Sequence, residues 1–301
     1  MDKKKINDIE IKPIISKKTA NAKTIRGYNF FKEPYANVCI LARKNSGKST
    51  VIYRALEECA TKGTNVMIFC STINLDETYK KMVKMLEKKK CNVSTHEHFI
   101  ENGVNLLDQL IKILQKKAED ETKDEEKQEN KVKKAPIPVI VLPNNCKIIG
   151  YEKDGSAIIE GNSIPPKQVK KQEKSKMITP ENIFVFDDLS TEMAHPSISK
   201  LLTIIRHTHS KCIISAHNVN SIAPMGLRMI DVFCLFPNIS DEKIQEVCEK
   251  VGLMHKGDTK KRSLLQELYN DATSEPHNFL YIDRGNGEYR KNFNQVYKIE
   301  D

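Results

Sequence analysis

The chain is 301 residues long, with 49 Lys and Arg against 40 Asp and Glu, a formal charge of +9, and 39% apolar residues. At roughly 100–200 residues per domain, that suits one large α/β domain carrying an insertion, or two small domains. The longest apolar runs, such as VIVL at 139–142 and IFVF at 183–186, fall far short of the ~20 residues of a membrane helix, and the start MDKKKINDIE lacks the apolar stretch of a secretory signal, so neither fate is expected.

Residues 1–34 read as a basic arm: positions 1–26 alone carry eight Lys and Arg against three acidic residues, able to touch phosphates or to be solvated. Regular structure begins at 35. Asn37–Ala42 (NVCILA) predicts a buried strand. The spacing of Val51, Ile52, Ala55, Leu56 and Cys59 predicts a helix over 49–62, with Gly63 at its C-terminal cap. Asn65–Cys70 (NVMIFC) reads as a second buried strand, followed by helices over about 75–90 and 104–115.

Between Lys116 and Lys134, seven Lys and seven acidic residues occupy 19 positions, with Val132 the one large apolar side chain. Such a stretch buries too little to offset its chain entropy, so it reads as a linker or as the solvated end of a helix. Within 136–178, IIGYEKDGSAII predicts a hairpin turning at Asp154-Gly155. Residues 116–178 are therefore expected to be a surface insertion.

Alternation resumes at 182: strand 183–187, helix 196–208, strand 211–217, a short helix or loop at 221–229, strand 231–236, helix 239–251 and a last strand FLYID at 279–283, with 286–301 as a tail. Strands apolar on both faces and alternating with helices imply an α/β fold with a mainly parallel sheet and helices on both faces. The eight cysteines stand singly, several in apolar runs such as NVMIFC and DVFCLF, as buried thiols do. Cys91 with His96 and His98 lacks the second cysteine arm of a zinc site.

Three segments carry chemistry. The run Ala42-Arg43-Lys44-Asn45-Ser46-Gly47-Lys48-Ser49-Thr50 leaves a buried strand and opens a helix, the setting of a P-loop (Walker A) that holds ATP. In it, Asn45, Ser46, Gly47, Lys48, Ser49 and Thr50 would line the phosphates. Lys48 would reach the β- and γ-phosphates and Ser49 would ligate Mg²⁺. Ala42 stands where the first Gly of the pattern is usual, which predicts a less sharply turned loop. In Asn182-Ile183-Phe184-Val185-Phe186-Asp187-Asp188, an apolar strand delivers two carboxylates to its C-terminal end (a Walker B pattern), where ligands bind in open α/β sheets. Asp187 would hold Mg²⁺ through water, and Asp188 would polarise the attacking water. In KCIISAHN, the strand ends in His217, which should lie beside the two aspartates and sense the γ-phosphate. Arg206 and Arg228 are each either a surface ion pair or an arginine finger for a neighbouring subunit's γ-phosphate.

With the strand–P-loop–helix, FVFDD and the run IIRHTHSKCIISAHNVNSIAPMGLRMIDVFCLF in hand, the chain resembles the poxvirus-type DNA-packaging ATPases of nucleocytoplasmic large DNA viruses and their relatives, a branch of the FtsK–HerA superfamily of P-loop ATPases with a RecA-like fold. The likeness covers about 35–115 and 180–285. It implies a DNA-stimulated ATPase that uses ATP and Mg²⁺, assembled as a pentameric or hexameric ring and moving double-stranded DNA into a capsid. It further implies a portal or vertex protein as partner, no membrane, and a place in the host cytoplasm or viral factory, or in the virion. Carried over position by position, it makes Lys48 and Ser49 the phosphate and metal ligands, and Asp187 and Asp188 the metal-binding and catalytic carboxylates. His217 stands where the family usually has Gln, and Asp188 where the wider superfamily often has Glu. Duplex DNA passing through would be held by Lys and Arg at its backbone, without base readout. Three other functions fit parts of the pattern: a HerA-like cellular or plasmid DNA translocase, a P-loop phosphotransferase on a small substrate, and a non-hydrolysing nucleotide-binding scaffold.

Overall fold

The computed structural model describes residues 24–133, 147–151, 157–160, 177–189 and 191–299. The chain divides into two compact units, 1–115 with 177–301, and 116–176. In chain order the first half holds β1 (Asn37–Leu41), α1 (Lys48–Cys59), β2 (Asn65–Cys70), α2 (Glu77–Lys88), β3 (Asn92–His96), β4 (Ile100–Glu101), β5 (Val104–Asn105), α3 (Leu106–Lys133), β6 (Lys147–Tyr151) and β7 (Ala157–Glu160). The second holds β8 (Asn182–Asp187), α4 (Pro196–Ile204), β9 (Ser210–Ala216), α5 (Pro224–Arg228), β10 (Val232–Leu235), α6 (Asp241–Lys250), α7 (Thr259–Ala272), β11 (Leu280–Asp283), β12 (Glu288–Lys291) and β13 (Gln295–Val296).

The main unit is built on one sheet in the order β13-β12-β11-β10-β1-β9-β8-β2-β3. From β10 to β3 every pairing is parallel, and β11 to β13 complete the sheet antiparallel. The fold is thus α/β with a mainly parallel sheet, as the alternation of apolar runs and helical spacing predicts. Alternate strand residues serve opposite faces. Val38 and Ile40 of β1 join Ile52, Leu56, Tyr79, Met82 and Leu86 of α1 and α2. Cys39 and Leu41 face the layer that holds the start of α3 with α4 to α7, including Leu107, Ile198, Leu201, Val247 and Leu268. On that second face Phe69 and Phe186 stack across neighbouring strands at 5.1 Å, with Phe99 edge-on to both; such pairs add about 0.5–1.5 kcal/mol beyond the area they bury.

What positions the site is register. Leu41 is level with Ala216, Ser215 with Asp187, and Asp187 with Cys70. The four central strands β1, β9, β8 and β2 therefore end together, and the residues that follow them emerge along one edge.

Of the two readings left open for the charged stretch after Gln115, the helix end is the one found: it is helical to Lys133, with opposite charges one turn apart, as in Lys117–Glu121 at 3.6 Å and Asp120–Lys123 at 3.8 Å. Other elements differ from the sequence reading, each for a physical reason. Gly63 is not the cap of α1, which ends at Cys59 on Ala60; it sits at φ 85° in the turn into β2 and donates to Lys90 O. Within the stretch read as a tail, 286–301, β12 and β13 extend the sheet. Asp283 and Glu288 pair across a four-residue turn, 284–287, in which Gly287 takes φ 63°, a conformation glycine adopts without strain. Part of the stretch read as a basic arm is packed, with Ile25 and Phe31 buried and Ile25 bridging Ile178; residues 1–23 lie outside the described residues. The hairpin of 136–178 is the antiparallel pair β6–β7, and its turn at Asp154-Gly155 lies outside the described residues. Helix α7 and strand β3 are further elements of the unit.

Among the described residues seven cysteines are free and buried, and burial pushes the thiols of Cys39 and Cys248 up to about 12, which makes them inert space-fillers. No described helix is long and apolar enough to cross a membrane.

Candidate functional site

The turn from β1 into α1 is held open rather than closed on itself. Gly47 caps α1 at φ 101° with no side-chain hydrogen bond, and Asn45 takes φ 63°, a region Asn tolerates better than most residues. The amides of Gly47, Lys48 and Ser49 donate to no backbone acceptor among the described residues, and the first helical bonds run from Thr50 and Val51 to Gly47 O. Unpaired amides at a helix start, on a left-handed turn, form a concavity that binds anions. Ala42 settles the departure at the first position of the pattern. It is buried, is not among the residues with positive φ, and donates to Ala216 O at 3.1 Å. The tight turning falls at Asn45 and Gly47, so the alanine imposes no strain.

Opposite this loop stand the aspartates that end β8. Asp187 is buried at 2% exposure. Its Oδ2 accepts from the hydroxyl of Tyr79 at 2.5 Å. Its Oδ1 lies 3.3 Å from Lys48 Nζ yet accepts no hydrogen bond among the described residues, so the two charges are close without a directed bond. Burial, then the charge of Asp187, pushes the Tyr79 phenol far above its ordinary value, which keeps it a donor. Asp188 sits at φ 58°, its side chain 38% exposed and Oδ1 3.9 Å from Lys48 Nζ. A non-glycine residue at positive φ stores strain of a kind that gathers at working sites.

His217 follows β9, between the P-loop strand and the carboxylate strand. Its Nδ1 lies 2.8 Å from Ala42 O and its Nε2 lies 2.9 Å from Asp188 Oδ1. A carbonyl oxygen only accepts, so Nδ1 carries a hydrogen, and Nε2 and Asp188 share a proton between them. The residue thus joins the loop to the outer carboxylate, and its side chain is 40% exposed.

Loop, aspartates and the segment after β2 line a cleft of ≈ 900 Å³ that includes Lys44, Lys48, Ser49, Thr72, Asp76 and Asp188. Its donor set suits Mg²⁺, which takes oxygen ligands. Asp187 Oδ1 is a buried carboxylate oxygen without a hydrogen bond, and Ser49 lines the same cleft. These two would hold the ion, with Lys48 balancing the buried charge otherwise.

Arg206 and Arg228 lie elsewhere in the chain. Arg206 Nη2 donates to Asp231 Oδ1 at 2.7 Å, and the other oxygen of that carboxylate accepts from Asn37 N at 2.8 Å. Asn37 opens β1 and Asp231 precedes β10, so the pair marks the start of the parallel strands, opposite the edge where Lys48 sits. Arg228 ends α5, exposed, its carbonyl taking a bond from Arg284 at 3.1 Å. Neither belongs to the cleft of its own chain.

Sequence reasoning missed Tyr79 and His277. Tyr79 falls on the buried stripe of α2 with Met82 and Leu86, a spacing that speaks of core, and only the β2–β8 pairing shows its hydroxyl reaching Asp187. His277 comes from the loop before β11 and lies 3.0 Å from Ser46 O through Nδ1; a contact between residues so far apart in sequence leaves no local pattern. Cys91, His96 and His98 go separate ways: Cys91 Sγ to Thr61 O, His96 against the Phe69 ring, and His98 to Glu192.

No protein-family model matches the chain, and no curated protein matches it. Among solved structures it is similar to the genome packaging NTPase B204 from Sulfolobus turreted icosahedral virus 2. With AMPPCP the TM-score is 0.45, with 13% identity over 89% of this chain and 100% of that one; with AMP the TM-score is 0.47, with the same identity and coverage. The DNA-packaging ATPase B204 from Sulfolobus Turreted Icosahedral Virus aligns with a TM-score of 0.47, 12% identity, 89% of this chain and 99% of that one. A likeness of this size carries no function with it.

Proposed function

We propose that the chain is an ATP-hydrolysing motor that moves double-stranded DNA, in viral genome packaging of the poxvirus-type branch of the FtsK–HerA superfamily. One observation carries the hydrolytic half: free amides of a left-handed turn face two aspartates, with Lys48 Nζ 3.3 Å from one and 3.9 Å from the other.

On ATP binding Lys48 turns from Asp187 to the β- and γ-phosphates, and the amides of Gly47 to Ser49 take the phosphate oxygens. Ser49 and Asp187 would hold Mg²⁺, whose charge would offset that developing on the phosphates. Asp188 draws the proton of the attacking water, and His217, bonded to Asp188, registers whether that carboxylate is engaged. Tyr79 keeps Asp187 aimed at the cleft. Supplied in trans by the next subunit of a ring, Arg206 or Arg228 would steady the charge of the transferring phosphoryl group.

The DNA half rests on the run from IIRHTHSKC to DVFCLF and on a chain charge of +9, which favours phosphate backbones. An aromatic content of 6% without Trp speaks against a stacking platform for single strands. The test is phosphate release from Mg·ATP by the full chain, alone, with duplex DNA and with single-stranded DNA. The expected result is a several-fold stimulation by duplex of any sequence. Turnover indifferent to duplex would remove the motor, and phosphate appearing on a small acceptor would make the chain a phosphotransferase.

A further inference from the structure

The two walls of the nucleotide cleft differ. One carries Asp187 and Asp188, on the β9–β8 side of the P-loop strand. The other carries His277, from the loop that leads into β11, which pairs with β10, the neighbour of β1 on its far side. A triphosphate laid over Gly47 to Ser49 with its γ-phosphate at Lys48 and the aspartates must send its nucleoside the other way. His277 is the ring that stands there.

That ring is firmly placed. Its Nδ1 is 3.0 Å from Ser46 O, and a Cβ on Gly47 would come within 3.4 Å of the same nitrogen. Behind it the loop is pinned: Asn278 Nδ2 donates to Glu275, Asn292 Nδ2 to Asn278 Oδ1, and the Phe279 amide to Asn292 Oδ1 at 3.0 Å. Phe279 itself packs on Phe236 and Phe293. On this rigid mount His277 takes φ 67° and remains exposed in the cleft. An exposed imidazole held at a strained backbone angle beside a binding loop is a poor use of a surface position unless the ring meets a ligand.

The tautomer follows from the partner. Ser46 O can only accept, so Nδ1 bears the hydrogen, and in the neutral ring Nε2 offers a lone pair. Nε2 has no hydrogen-bond partner among the described residues. We infer that His277 reads the nucleotide base: its Nε2 accepts a hydrogen bond from the exocyclic amino group of adenine and meets the carbonyl oxygen of guanine acceptor to acceptor. The inference rests on the reading of 42–50 as the phosphate loop, and it makes the ATP preference of the site a property of the last part of the sheet.

The test measures binding of Mg·ADP, Mg·GDP and magnesium pyrophosphate by calorimetry to the wild-type chain, to His277→Asn and to His277→Gly. Both replacements accept positive φ, so the loop keeps its backbone. The wild-type chain is expected to prefer ADP over GDP by about tenfold, the worth of one well-made bond set against a clash of acceptors. Both variants are expected to lose most of that preference, with ADP weakened more than pyrophosphate. An unchanged preference, or equal weakening of all three ligands, would overturn base reading and leave His277 as a strut for Ser46. Failure of the phosphate-loop reading looks different: Lys48→Ala would then bind all three ligands as the wild-type chain does.

Discussion

Asp188→Asn is expected to bind Mg·ATP about as well as the wild-type chain and to release phosphate about 10²–10⁴-fold more slowly, the usual worth of a positioned general base. The amide matches the carboxylate in size, the site is part-exposed, and Asn accepts φ 58° as readily as Asp, so the fold has no reason to change. What is lost is the ability to take a proton. Lys48, Ser49, Asp187 and the amides of 47–49 are untouched by the change, which is why binding survives. Phosphate release and nucleotide titration on the same preparation separate the two effects. Near-normal turnover would take Asp188 out of the mechanism and leave its left-handed backbone without a purpose.

Lys48→Ala is expected to weaken Mg·ATP binding by about 10²-fold or more, since charge-assisted bonds to both the β- and γ-phosphate are removed. The same change leaves Asp187, 2% exposed, with the Tyr79 hydroxyl as its hydrogen-bond donor. Breaking a buried pair from one side destabilises, so urea unfolding should move to lower denaturant along with the loss of binding. Adding Mg²⁺ without nucleotide should recover part of that stability if Asp187 is a metal ligand. Retained tight ATP binding would refute the assignment of the loop.

Much of the site was legible because its parts are local. A strand, a Gly-Lys-Ser turn and a helix are contiguous at 37–59, and FVFDD holds its own strand and its carboxylates. Which strands lie side by side is written in no single segment. That β9 runs between β1 and β8, bringing His217 to Asp188 and to Ala42 at once, emerges only from the assembled sheet. Tyr79 and His277 were missed for the same reason, one looking like core and the other like a loop before FLYID. At 116–134 the composition was ambiguous between linker and helix, and charges spaced one turn apart decided it. At the end of the chain the residues of β12 are mostly polar, and only the pairing of Asp283 with Glu288 across Gly287 shows them to be strand.

The arginines teach a different lesson. Their place at the end of a helix and before an apolar strand is as the sequence has it, but Arg206 holds Asp231 at the start of the parallel strands, a strand's length from the cleft. A role in catalysis for either arginine therefore has to come from a second subunit.

The most direct test of the account is a structure of the Asp188→Asn chain trapped with Mg·ATP. The account predicts the triphosphate wrapped by the amides of 47–49, the metal held by Ser49 and Asp187, and Lys48 Nζ withdrawn from Asp187 to the γ-phosphate. A nucleotide bound away from residues 44–50, or Lys48 still facing Asp187 with the triphosphate elsewhere, would contradict it.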